Sequence, residues 1–446
     1  MKAKLQPLFF AEFNDREQGE FAQQMKVLRD TYGEAADFLP PVEMGAPASP
    51  EADAIVFPVL IGAVFHYHKK ISDYNLPVIV LTSEFATVEM WDWEIVSYLR
   101  DKKLTVFAPY QIQLAKVILR ALATKRQLQS GVKFLMFQDD PGEGMQANIF
   151  KKFYWWEKEC TQSMSDSFGM RLIYKSWKAL AEKAKSISDE DAKTTSSEWN
   201  INCDPNLTER AFLSAVKLYI AAKEEIEKEG NVVGIGCNCL NESFYSDSTP
   251  CLAWNMLFEK DGIVFACEGD TLTLLSNYMI YSVLQTPYMM SNVYPFLVGM
   301  AALKHEKIDK FPDIEDADNH ALVVHCGYFG LAARRFCTEW TLRPKVLEIV
   351  DDNAVVVDCR YPIGDLTMVK IYPDMRRLSI IQAEIEDYAQ YPGSDCRNGA
   401  IVHYKNKSGH QVMENLCSHH AILIPGEKTS EVQTMAKVFG FECIIL

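Results

Sequence analysis

The sequence predicts an α/β protein: two doubly wound α/β domains followed by a strand-rich part that reads as a β-barrel or sandwich. Three observations lead to this class. Short apolar runs closed by Pro, Gly or acidic residues alternate with helical patterns over the first third of the chain. A second strand–helix unit surrounds residues 249–270. Beyond about residue 321, short branched runs follow one another and helical periodicity is absent. Alternation of strand and helix builds parallel sheets, whereas consecutive strands build barrels or sandwiches.

In chain order, the first runs are Ile55–Phe65, Leu76–Leu81, Leu104–Ala108 and Val132–Phe137. Leu114, Val117, Ile118, Ala121 and Leu122 repeat at helical spacing between the last two. Residues 184–206 are polar and Ser/Thr/Asp-rich, which predicts a loop or linker. Asn206 and Glu209 stand at the spacing of a capping box, and Gly230 closes the helix that follows. Asn231–Gly236 and Ile263–Cys267 read as strands. The uncharged segment 271–303 reads as a buried helix, a loop and a second helix, because Ser276, Asn277, Gln285 and Asn292 are too polar for a membrane span. The later strands are Ala321–His325, Val346–Val350, Ala354–Asp358, Leu366–Ile371, Leu378–Glu384 and Ala400–Tyr404, before a strand, helix and strand over Ala421–Leu446. These textures divide the chain at 1–183, 184–320 and 321–446.

The totals bound the function. A chain of 446 residues is too long for one ordinary core, and 48% hydrophobic residues is the content of a globular protein. A net charge of −15 argues against nucleic acid or an anionic membrane as partner. Twelve cysteines are too few for a disulfide scaffold, and none form a Cys-x-x-Cys pair. Glu12 follows the short apolar patch Leu8-Phe9-Phe10, so the N-terminus does not read as a signal peptide; the expectation is a cytoplasmic protein.

Chemistry concentrates at Glu268 and Asp270, which end the apolar run Ile263-Val-Phe-Ala-Cys267. Carboxylates at a strand end that feeds a helix are placed where α/β proteins bind ligands. Asp270 also stands where an aspartate caps the helix beginning at Thr271. Glu268 directly follows core residues, so its charge needs a partner or a metal. His419 and His420 precede another apolar run; on a strand they point to opposite faces, so one of the two faces a given site. Two carboxylates and an imidazole form an oxygen/nitrogen set that suits a divalent ion such as Mn²⁺. His325 ends a further strand, as a substrate-contacting or a core histidine. His66 and His68 would share one strand face, although Lys69-Lys70 mark a solvated end. Cys237, Cys239, Cys251 and Cys267 fit no zinc-ribbon spacing. Gly234-Ile-Gly236 imitates a dinucleotide loop, but Cys239 stands at the third glycine's place.

Two segments, Thr249–Asp270 and Ser418-His-His-Ala-Ile-Leu-Ile-Pro-Gly426, resemble the L-fucose isomerase / L-arabinose isomerase superfamily. The resemblance implies two α/β domains and a C-terminal β-barrel-like domain, in a homo-oligomer acting on a small sugar. It implies a metal held by Glu268, Asp270 and His420, with Glu268 and Asp270 catalytic and His325 and His419 near the substrate. Aldose–ketose isomerisation of a deoxy- or pentose sugar through an ene-diol is the implied activity, with Mn²⁺ or another divalent cation. The chain departs from the family at the upstream glutamate, where Pro250 or Cys251 stands. That departure keeps two other readings open: a sugar-binding or regulatory protein on the same fold, and a thiol or metal enzyme built on the cysteines between 237 and 267.

Overall fold

The computed structural model describes residues 1–139, 158–239, 243–295, 314–326, 328–346, 350–389 and 399–446. The chain is mixed α/β and forms two compact units.

The first unit comprises Met1–Gln127 with Ser282–Leu284 and Gln433–Phe439. Its strands are β1 (Ala3–Phe9), β2 (Ala36–Phe38), β3 (Val42–Glu43), β4 (Ala54–Phe57), β5 (Val78–Val80) and β6 (Val106–Phe107). They pair in parallel in the order β2-β1-β4-β5-β6, with β3 also beside β1. Helices α1 (Asp15–Tyr32), α2 (His68–Asp73), α3 (Trp93–Asp101) and α4 (Ile112–Gln129) connect or follow them. Leu8, Ile55, Phe57, Val78 and Val80 belong to its buried core, to which Val96 and Leu99 of α3 add. The expected strand over Ile55–Phe65 stops at Phe57, because Pro58 has no amide hydrogen to continue the ladder. His66 therefore lies in a 3-10 turn, Gly62–Tyr67, and His68 opens α2, so the two do not share a strand face.

The second unit holds Leu128–Tyr281, Gln285–Val432 and Gly440–Leu446. Its parallel sheet has the order β10-β9-β7-β8, from β7 (Lys133–Phe137), β8 (Arg171–Lys175), β9 (Val232–Cys237) and β10 (Val264–Ala266). Gly234 and Gly236 lie within β9, not in a phosphate-binding loop. A Cβ on Gly234 would sit 2.6 Å from the Phe134 ring, and one on Gly236 would sit 2.7 Å from Met136 Sδ. The helices are α5 (Lys158–Phe168), α6 (Trp177–Ser186), α7 (Asp189–Ser196), α8 (Glu209–Glu229), α9 (Cys251–Asp261) and α10 (Thr271–Leu284).

Two expectations fail here for local reasons. The linker expected at 184–206 contains α7, whose N-cap Ser188 accepts from Asp191 N and whose first turn carries Asp189, Glu190 and Asp191. The cap of α8 is Thr208, accepting from Ala211 N, and not Asn206, which instead donates to Asp204.

The rest of this unit contains a closed six-stranded antiparallel barrel. Its strands are β11 (Met289–Pro295), β12 (His320–Val324), β15 (Gly364–Ile371), β16 (Arg377–Ala389), β17 (Gly399–Tyr404) and β18 (His420–Pro425). They run β15-β18-β11-β12-β17-β16 and close through β16 on β15. Strand β19 (Glu442–Ile445) adds in parallel to β16, and β13 (Glu339–Pro344) pairs with β14 (Val355–Arg360) apart from the barrel. Short helix α11 (Gly409–Asn415) belongs to this unit, and α12 (Thr429–Phe439), most of which counts with the first, completes the elements.

Strand β11 corrects the expectation of a second helix after α10. Residues 289–295 recruit to the barrel wall instead, and residues 296–303 lie outside the described residues. The strand expected at Val346–Val350 also falls partly outside them. The boundaries expected at 183/184 and 320/321 fall within α6 and at the start of β12. No helix among the described residues is long and apolar enough to cross a membrane.

Candidate metal centre

Strand β10 ends at Ala266, and the chain turns through Cys267, Glu268 and Gly269 into Asp270, the N-cap of α10. Glu268 and Gly269 are both left-handed, with φ of 57° and 74°. For glutamate this conformation costs on the order of 1–3 kcal/mol, and such residues cluster at functional sites. The turn is tied to the neighbouring strand end by Gly269 N donating to Cys237 O at 2.9 Å. Glu268 is 6% exposed and Asp270 is fully buried.

The barrel brings up the imidazoles. His420 opens β18, and the register of β11 places Asn292 opposite both His420 and Val324, the residue before His325. His420 Nε2 lies 3.3 Å from Glu268 Oε2, and His325 Nε2 lies 3.5 Å from Glu268 Oε1. His419 precedes the first residue of β18, so strand alternation does not separate it from His420. Their ring centroids are 4.2 Å apart, and ligand atoms of Glu268, His419 and His420 lie within 4.8 Å of one another. Glu268, His325 and Cys326 form a second such group.

Asp270 stands behind His420, on the ring edge away from Glu268. Its Oδ2 accepts from Lys370 Nζ at 2.9 Å and Thr273 Oγ1 at 2.7 Å, and lies 2.8 Å from His420 Nδ1. Its Oδ1 accepts from Thr273 N at 2.7 Å. Carboxylate, imidazole and a second carboxylate thus stand in line. This is how metal-binding histidines are oriented, with Nδ1 fixed and Nε2 presented.

The charges follow from this arrangement. Burial alone would raise the Glu268 carboxyl, but the His420, His325 and His419 rings outweigh it and hold it well below the usual range. Asp270 is likewise held down, against burial, by Lys370 and His420. Burial opposes the charge on His420, yet Glu268 and Asp270 on its two sides raise it. Burial and the charge on His420 push His419 down to about 3, and burial lowers His325. The imidazoles thus favour the charge on Glu268, and the two carboxylates favour a proton on His420.

The structure brings together the five residues that the resemblance assigns to the site, Glu268, Asp270, His325, His419 and His420, while His66 and His68 lie in the first unit. It adds Lys370, Thr273 and Asn292. Lys370 is 2% exposed and was legible as the one cation in the apolar strand Gly364–Ile371. Two further amides escaped the sequence reading. Gln138 follows β7 and Asn238 follows β9, at the same sheet end as Glu268, and the registers Phe137–Cys237 and Ala266–Gly236 set them side by side. Both are buried, and their side-chain N and O atoms have no hydrogen-bond partner among the described residues. Asn292 Oδ1 is in the same condition.

No protein-family model matches the chain, and no curated protein matches its sequence. What the fold and the site define by themselves is a buried carboxylate–imidazole–thiol centre with donors placed to hold a metal ion.

Proposed function

We propose that the protein is a divalent-cation-dependent aldose–ketose isomerase-like protein, resembling the L-fucose isomerase / L-arabinose isomerase superfamily and acting on a deoxy- or pentose sugar through an ene-diol. The observation that carries this reading is the buried Glu268 carboxylate, with one oxygen turned to each of two imidazole Nε2 atoms. The donor set Glu268, His419 and His420 is oxygen and nitrogen only, which suits Mn²⁺. His419 is thus assigned to the cation and not only to the substrate. Asp270 is assigned to orienting His420, because its oxygens already accept from Thr273 and Lys370.

A bound divalent ion supplies polarisation of a sugar carbonyl and its neighbouring hydroxyl. The chain's own residues supply the rest. Glu268 Oε1, which faces His325 and not His420, takes a proton from one sugar carbon and returns it to the next. His325 stands beside that oxygen and contacts the sugar. Gln138, Asn238 and Asn292 carry the buried amide groups that a polyhydroxylated ligand satisfies. We extend the reading to two doubly wound α/β domains, a cytoplasmic location and a homo-oligomer.

A second reading, a sugar-binding or regulatory protein, is favoured by one observation. Where the resemblance places an upstream glutamate, Pro250 caps α9 and Cys251 is a buried thiol. Incubating the Mn²⁺-loaded protein with L-fucose, D-arabinose, L-arabinose and L-rhamnose, and following ketose formation by NMR, separates the two. Turnover of at least one sugar is expected. Binding of a sugar without turnover of any establishes the second reading, and neither binding nor turnover removes both.

A further inference from the structure

We propose a second cation position beside the first, built from Glu268 Oε1, His325 Nε2 and Cys326 Sγ, and suited to a thiophilic ion such as Zn²⁺. The three donor atoms lie within 4.8 Å of one another. His325 is 3% exposed, and its Nε2 has no hydrogen-bond partner among the described residues. Its 3.5 Å distance from Glu268 Oε1 is too long for an ordinary N–H···O bond. It fits the edge of a tetrahedral metal site, since two ligands about 2.0–2.1 Å from one ion stand about 3.4 Å apart.

The donors also differ in kind from the first set. Oxygen, nitrogen and sulfur together are ligands for zinc, whereas thiolate is a poor ligand for Mn²⁺. Cys326 is held at φ 47° and lines a small pocket together with Cys239, Thr249, Cys251 and Lys345. The same thiol therefore borders both this pocket and the buried carboxylate. Glu268 becomes a bridge, with Oε2 serving the first position and Oε1 the second.

The site rests on these donors alone; its consequence rests on the isomerase reading. An ion at Oε1 occupies the oxygen assigned to proton transfer, so filling the second position stops turnover while the first stays loaded.

Cobalt(II) reports thiolate ligation through its near-ultraviolet charge-transfer absorption. Titrating Co²⁺ into chelator-stripped protein is expected to bind two equivalents and to develop that band. Cys326→Ser should lose the band and one equivalent, whereas Cys251→Ser and His419→Ala should keep the band. A single equivalent with no thiolate band, a band that survives in Cys326→Ser, or one lost instead in Cys251→Ser overturns the proposal. X-ray absorption on the wild-type zinc-loaded protein needs no variant to fold. A sulfur neighbour at about 2.3 Å is expected, and a shell of nitrogen and oxygen only overturns the proposal. Failure of the isomerase reading appears in the sugar screen and leaves both metal results unchanged.

Discussion

Glu268 keeps a carboxylate where glycine would sit without strain, and three imidazoles compensate for its burial. Glu268→Gln preserves shape and removes the charge. The fold should persist, as seen by circular dichroism, while turnover falls on the order of a hundredfold to ten-thousandfold. An unchanged rate would remove Glu268 from proton transfer. Asp270 has a different part. Asp270→Asn leaves Lys370 buried without its counter-ion, and breaking a buried pair this way costs about 3–5 kcal/mol. Losing the carboxylate behind His420 should also weaken cation binding about 10–100-fold. Adding Lys370→Met to Asp270→Asn should recover part of the stability in urea denaturation but none of the affinity. Recovery of both would show that Asp270 acts on the fold alone. Of this site, the sequence made Glu268, Asp270 and the histidines legible, because polar groups at the ends of apolar runs stand out. Gln138 and Asn238 did not stand out, since an amide after a strand looks like any turn residue until its burial is known.

At the scale of elements, α8 is held by a ladder of ion pairs. Glu225 pairs with Lys175 of β8 and Lys183 of α6, and Glu229 pairs with Lys175 and Lys133. The two lysines lower the Glu225 carboxyl against its partial burial, and the glutamates raise Lys175 and Lys183. A lowered carboxyl stabilises the fold above its unfolded value, about 4.3, and that contribution is lost as pH falls through the folded value. A raised lysine stabilises below about 10.4 and loses its contribution as pH rises through the folded value. Glu225→Gln should therefore cost about 0.5–1 kcal/mol between these limits, and less below pH 4. A cost that grows toward acid would contradict the assignment. In β9, Gly234→Ala should cost about 1–3 kcal/mol, because the added Cβ meets the Phe134 ring at 2.6 Å. Elements with clean periodicity, such as α4, β5 and β15, were legible in the sequence. Helix α7 and strand β11 were not: the first is nearly all polar, and the second follows the Gln285-Thr286-Pro287 turn as an uncharged apolar run whose period does not separate a strand from a second helix.

Within the second unit, the barrel strands deliver His420, Lys370 and Asn292 to the carboxyl end of a parallel sheet that supplies Glu268, Asp270 and Asn238. No single segment contains the site, which explains why sequence spacing alone left the ligand set open. The proposed homo-oligomer is tested by sedimentation equilibrium. A species heavier than 50.7 kDa is expected, and a clean monomer would remove assembly from the proposal. Every role assigned to Glu268, His419 and His420 requires the centre to hold a cation. Thermal melting of chelator-stripped protein against increasing Mn²⁺ tests this most directly, alongside His420→Ala. Wild-type stability should rise by about 2.7 kcal/mol when Mn²⁺ reaches a hundred times its Kd, and the variant should not respond. A wild-type melting temperature indifferent to Mn²⁺, as flat as that of His420→Ala, would contradict the account.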